Sequence, residues 1–197
     1  IAMAIKVIPI SNASIEVSPD VRLAELTAPA DFIFLGLIAS KDPVRSGVKA
    51  SVATARSAGI RTVMITGDYL KTAAAIGNEL DLFESDDIAL AQSLLPDSKT
   101  ICDLNFQVAD SSQLRPHGEY LPAPELDAIV KRAQVFARAR PEDKLKIVES
   151  FQRLGKVTVM TGDGVNDAAA LRQSNIGVAM GAGGTAVAKQ ASQLILL

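Results

Sequence analysis

The sequence predicts an α/β protein built on a parallel sheet with helices on both faces. Three observations carry that expectation. From Asp31 onward, short apolar runs rich in β-branched residues alternate with helix-forming segments. Two of those runs end alike, Val63-Met64-Ile65-Thr66-Gly67-Asp68 and Val159-Met160-Thr161-Gly162-Asp163. Each ending passes directly into a helix-forming stretch. That order places polar residues at the carboxyl edge of a parallel sheet, where open α/β folds hold their ligands. The two endings are read as two edges of one sheet.

Taken in order, residues 1–10 read as one strand and 11–31, with its Ser, Asn, Pro and Asp, as a connection. Residues 32–39 (Phe32-Ile33-Phe34-Leu35-Gly36-Leu37-Ile38-Ala39) fit a buried strand. Asp42-Pro43 opens a helix, Asp as cap and Pro at the first helical position. Its apolar stripe, Val44, Val48 and Val52, recurs every fourth residue and ends near Gly59. A strand at Arg61–Ile65 leads through Thr66-Gly67-Asp68 into a helix reaching about Leu80. Residues 81–120 hold an acidic cluster (Glu84, Asp86, Asp87), a helix at 88–95 and a long polar connection. Beyond them come a helix at 124–133, a strand at Gln134–Ala137 and a helix from Pro141 to about Leu154. A strand at 156–160, a helix at 167–173, a strand at Ile176–Met180, a helix near 185–191 and a terminal strand complete the chain.

Composition excludes several classes. Among 197 residues, 20 basic and 22 acidic side chains nearly cancel, which gives no electrostatic case for nucleic acid or an anionic membrane surface. Hydrophobic residues make up 48%, yet no apolar run approaches the ~18 needed to span a bilayer. The single Cys102 excludes an internal disulfide and reads as an inert buried thiol. The lone His117, between Pro116 and Gly118, reads as a loop residue. The sequence opens at Ile1 without a signal-peptide layout and stops inside the apolar run Leu194-Ile195-Leu196-Leu197, so a piece of something larger is expected.

The chemistry gathers on the turn Thr161-Gly162-Asp163-Gly164-Val165-Asn166-Asp167. It sets two carboxylates and an amide on a glycine-rich link between strand and helix. One Asp-Gly pair would serve turn geometry alone; the whole run points to a hard cation such as Mg²⁺, held by Asp163 and Asp167. Thr66, Gly67 and Asp68 offer a hydroxyl and backbone N–H groups at a helix start, which suits phosphate oxygens. Lys144, in the first turn of the helix opened by Pro141, could bring a point charge to a transferring phosphoryl group. Donors, cation and positive charge are what phosphoryl transfer needs, apart from a nucleophile.

These residues resemble a known family. Met160–Ala168, Met64–Asp68 and Asp42-Pro43-Val44-Arg45 look like the phosphorylation domain of P-type cation-transporting ATPases, in the calcium and sodium/potassium branch. The likeness extends through Phe136–Lys144 and Ile176–Gly181 and covers about residue 31 to the end. It implies a Rossmann-like fold of the haloacid dehalogenase-like superfamily. Residues 1–30 would be the tail of a nucleotide-binding domain with its connection, and 31–197 the C-terminal part of the phosphorylation domain. It implies Mg²⁺ as cofactor and ATP as substrate. Asp163 would be a direct Mg²⁺ ligand with Asp167 in support. Thr66 and Asn166 would hydrogen-bond the phosphoryl group, and Lys144 would neutralise it. Gly67 and Asp68 would run along the nucleotide phosphates, Arg138 near the ribose, and Asp42-Pro43 would mark an interdomain hinge. The parent would be a multi-pass pump, with this segment on the cytosolic face of its membrane and the remaining pump domains as partners.

The departures are informative as well. The family's phosphorylated aspartate lies in an Asp-Lys-Thr-Gly-Thr motif that this sequence does not contain, so the sheet is expected to lack its nucleophile strand and the chain to be inactive alone. Tyr69 stands where animal calcium pumps often carry Asn. Two further readings stay open. One is a soluble phosphatase of the same superfamily, with Asp42 as nucleophile. The other is a non-catalytic α/β module that keeps the Mg²⁺ site.

Overall fold

The computed structural model describes residues 2–5, 32–38, 43–83 and 107–197. The chain divides into two compact units, Ile1–Val44 and Arg45–Leu197. In the first, β1 (Ala2–Ile5) pairs antiparallel with β2 (Ile33–Leu37), with an irregularity between Met3 and Ala4. The expectation of a buried strand at 32–39 is corrected here. Ile33, Phe34, Leu35 and Leu37 are all exposed, because pairing with β1 joins the strand edges and covers neither face.

The second unit carries the α/β alternation. Helix α1 (Val48–Ser57) starts five residues past Pro43, because Gly47 takes a left-handed φ of 87° and the chain first completes a turn. The helix opening expected at Asp42-Pro43 is therefore overturned, and Asp42 itself lies outside the described residues. Then follow β3 (Met64–Ile65), α2 (Leu70–Glu79), β4 (Val108–Asp110) and a 3₁₀ turn at Ser111–Leu114. Next come α3 (Ala123–Arg132), β5 (Val135–Ala137), α4 (Pro141–Arg153) and β6 (Val159–Gly162). A 3₁₀ turn at Val165–Asp167 leads into α5 (Ala168–Gln173), β7 (Ile176–Met180), α6 (Ala186–Ala191) and β8 (Leu194–Leu196). Strand β4 falls inside the segment that reads as a polar connection, and the helix expected at 88–95 lies outside the described residues.

All strand pairs described in this unit are parallel, as expected, but among the described residues they do not join in a single sheet. Two three-stranded sheets appear instead, ordered β3-β5-β4 and β6-β7-β8. Strands β3 and β6 are edges of their own sheets, and among the described residues neither pairs with the other. Between them runs a groove of about 480 Å³, lined by Ile60, Val63, Ile65, Phe151, Val157 and Val159 among others. Each sheet has its own core. Phe136, Leu126, Val130, Ile147 and Leu114 centre the first, Leu171, Ala179, Ala188 and Ala191 the second.

Helix α4 ties the sheets together. It follows β5 in sequence, and its buried positions Asp143, Ile147 and Ser150 recur at helical spacing. At its far end, Gln152 donates to the Gln173 carbonyl at 2.8 Å, on the β6-β7-β8 side.

Candidate functional site

The carboxyl ends of β3 and β5 are joined by backbone hydrogen bonds. Thr66 N–H donates to the Phe136 carbonyl at 2.8 Å, Ala139 N–H to the Thr66 carbonyl at 3.0 Å, and Arg138 N–H to the Asp68 carbonyl at 3.0 Å. The Thr66 hydroxyl accepts from Asp68 N–H at 3.1 Å, holding the turn that leads to α2. No side chain caps that helix, whose first turn also lacks an acidic residue. A Cβ built on Gly67 would meet nothing within 4 Å, so packing within this chain does not demand glycine there.

Arg138 departs from ordinary backbone geometry. Its φ is +54°, a region that side chains other than glycine seldom enter. Its guanidinium sits over the Tyr69 ring, 5.6 Å from the centroid.

On the second sheet, the Thr161–Asp167 turn folds back over the end of β6. Asp167 is buried, and both its carboxylate oxygens are engaged. Lys144 Nζ lies 2.6 Å from Oδ1, and Gly164 N–H donates to Oδ2 at 3.1 Å. Gly162 makes this fold-back possible, since a Cβ there would stand 2.6 Å from the Asp167 Cβ. Asp163 is exposed, and its carbonyl accepts from Thr185 N–H at 2.8 Å. Among the described residues no ion pair or hydrogen bond takes up its carboxylate. Asn166 is likewise exposed on the turn.

Two contacts join candidate residues directly: Lys144 with Asp167, and Arg138 with Asp68. Thr66 and Asn166 sit at the ends of different sheets, and no hydrogen bond joins them among the described residues. The Lys144–Asp167 pair spans the two sheets, because α4 leaves β5 while Asp167 closes β6.

Sequence reasoning misses what anchors Lys144. Its neighbour Asp143 is fully buried and accepts from Arg115 Nε (2.9 Å), Arg115 Nη2 (3.1 Å), the Tyr120 hydroxyl (2.8 Å) and Arg140 N–H (2.8 Å). Burial alone would push the Asp143 carboxyl up, but the Arg115 guanidinium, the Arg140 N–H and the Tyr120 hydroxyl outweigh it and hold it below the usual carboxylate range. Burial, then the bond to Asp143, pushes the Tyr120 phenol up to about 12. One signal was visible: an acid three residues past Arg140 at a Pro-opened helix is a capping-box position.

No protein-family model matches the chain. Among solved structures, the catalytic domain of the CPx-ATPase CopB-B has the same fold, at a TM-score of 0.50 and 22% identity, over 79% of this chain and 42% of that one. The likeness is one of fold. Curated proteins narrow this further. A P-type sodium-transporting ATPase of Toxoplasma gondii is 46% identical over 167 residues, 85% of this chain and 12% of the relative. Calcium-transporting ATPases of Listeria monocytogenes and Bacillus subtilis are each 43% identical, over 90% and 86% of this chain and 17% and 16% of their own lengths. Over most of its length the chain is homologous to P-type cation-transporting ATPases, and it spans less than a fifth of these relatives.

Proposed function

We propose that this chain supplies the cation- and phosphoryl-binding part of an ATP-driven cation pump that passes through an aspartyl phosphate. The observation that carries the reading is the Lys144–Asp167 ion pair, which sets a fixed ammonium beside the carboxylate-bearing turn. Asp163 suits Mg²⁺ as a hard oxygen donor whose carboxylate no protein cation occupies among the described residues. Asp167, with both oxygens engaged, supports the turn and orients Lys144. When bound there, Mg²⁺ supplies charge against the negative charge that develops on a transferring phosphoryl group.

The chain's own residues divide the remaining work. Lys144 neutralises the phosphoryl oxygens, while Thr66 and Asn166 donate hydrogen bonds to them from the two sheet ends. Gly67 and Asp68 follow the nucleotide phosphates, and Arg138 meets the ribose. The nucleophilic aspartate arrives on one further strand, seated in the apolar groove between β3 and β6. The support for that placement is the pair of parallel edges, unpaired among the described residues, that line one groove. The segment works at the cytosolic face of the membrane, together with the remaining domains of the pump.

A peptide carrying an apolar strand followed by Asp-Lys-Thr-Gly-Thr tests this reading when added in trans. It should raise the thermal midpoint of the chain in a concentration-dependent way and tighten Mg²⁺ binding. A scrambled peptide of the same composition performing equally well would overturn it.

A further inference from the structure

We propose that Tyr69 is a positioning residue for nucleotide recognition, holding the Arg138 guanidinium in place over the joined ends of β3 and β5. The inference rests on the reading of Arg138 as a nucleotide contact and adds a residue to which that reading gives no role.

Three features converge on this pair. Arg138 has a left-handed backbone, fixed from both sides by the bonds from its own N–H to Asp68 and from Ala139 N–H to Thr66. Such a conformation at a non-glycine residue persists only where its surroundings enforce it. The Arg138 guanidinium lies over Tyr69, at 5.6 Å from the ring centroid. Tyr69 is itself 48% exposed and Arg138 is exposed as well, so the stack adds little to the core and lies at the surface, where the guanidinium donors meet solvent. No carboxylate pairs with Arg138 among the described residues.

An exposed arginine normally samples many rotamers and loses that freedom when it binds. The Tyr69 ring removes part of the loss beforehand while keeping the N–H fork free for the oxygens of a sugar. Because Tyr69 is the residue just before α2, the ring is carried by the same turn as Thr66-Gly67-Asp68. A nucleotide whose phosphates follow that turn would bring its sugar alongside the stacked pair.

Titration of the 197-residue chain with ATP, followed by amide shifts at 66–69 and 137–139, tests the inference. Tyr69→Ala should weaken ATP binding roughly two- to five-fold, the scale of an exposed cation–π contact. Tyr69→Phe, which keeps the ring face, should bind like the unaltered chain. In an Arg138→Ala background, Tyr69→Ala should cost nothing more. The inference is overturned if Tyr69→Ala leaves affinity unchanged, if Phe fails to rescue, or if the loss persists without Arg138. If Arg138→Ala alone leaves ATP binding unchanged, the underlying reading of Arg138 fails first, and this outcome is separate from the other three.

Discussion

Lys144 on α4 and Asp167 at the end of the β6 turn lie 2.6 Å apart and join two sheets that share no strand among the described residues. Their side chains are 18% and 9% exposed, so the pair is largely shielded from water and salt. Asp163, four residues before Asp167, is exposed and serves no such link. The two carboxylates of one turn therefore have separable duties, and stability measurements should tell them apart. Asp167→Ala should destabilise the chain by about 2–4 kcal/mol, because it leaves the Lys144 ammonium and the Gly164 N–H without their partner. Asp163→Ala should change stability by less than about 0.5 kcal/mol, as for most surface substitutions. Urea unfolding of both variants checks this, and equal losses would contradict the division.

Gly162 should tolerate no side chain. A Cβ at that position would stand 2.6 Å from the Asp167 Cβ and 2.8 Å from its Cγ, so the turn must shift to admit it. Gly162→Ala should cost about 1–3 kcal/mol by overpacking and should separate Lys144 from Asp167. Gly67→Ala meets nothing within 4 Å and should leave stability nearly unchanged while weakening ATP binding. Thermal midpoints paired with ATP titration distinguish the two glycines.

Asp143 and Tyr120 define opposite ends of a stability-versus-pH profile. The folded Asp143 carboxyl titrates below its ordinary range, so the unfolded chain binds its proton first as pH falls. Its contribution is complete above about pH 4–5 and is lost as pH drops below the unfolded value of ~3.9. Tyr120 is raised from 10.0 to about 12. Its contribution is complete below pH ~10 and is lost as pH climbs through about 12. Asp143→Asn should flatten the acid limb, and Tyr120→Phe the alkaline limb, in unfolding measured across pH. An acid limb unchanged by Asp143→Asn would place the responsible carboxylate elsewhere, Asp127 being the other one held low, chiefly by Arg153.

Much of the second unit was legible because its signals are local. The strand endings at Thr66 and Thr161, the Pro141 helix start and the run Ile176–Met180 each announce themselves within a few residues. What was hidden depends on distant partners. Strand β4 has three residues, too few to show a period, and exists because Val108–Asp110 pairs with Val135–Ala137. The split into two sheets depends on what lies between β3 and β6, which no local pattern reports. Arg115 and Tyr120 reach Asp143 from more than twenty positions away, and neither stands in a recognisable motif. The start of α1 slipped from Pro43 to Val48 because a left-handed Gly47 outranks a favourable Asp-Pro pair.

Mg²⁺ titration should locate the cation site. Amide shifts should move first at 161–167 and at 66–68, with weak affinity, because Asp163 alone offers an unengaged carboxylate on this turn and Mg²⁺ favours several oxygen ligands. Asp163→Asn should abolish those shifts. Movement centred on positions 84–87 would place the cation on the other acidic cluster of the sequence.

In the full-length pump the same residues should separate binding from chemistry. On the proposed reading Asp163→Asn would remove a charged ligand where transition-state charge must be neutralised, so phosphoenzyme formation from ATP should fall at least about 100-fold. Lys144→Ala should impair the same step severely, because its ammonium is a positive charge fixed 2.6 Å from Asp167 on that turn. Arg138→Ala acts differently: its guanidinium stacks on Tyr69 at the β3–β5 ends, and among the described residues no hydrogen bond or ion pair joins it to the Thr161–Asp167 turn. A sugar contact made equally in ground and transition states changes affinity and leaves the chemical step alone. At saturating ATP, phosphoenzyme yield should therefore stand well above both other variants in Arg138→Ala, while the ATP concentration for half-maximal yield rises. Normal phosphorylation of Asp163→Asn would remove the Thr161–Asp167 turn from the cation site, whatever the other two variants did.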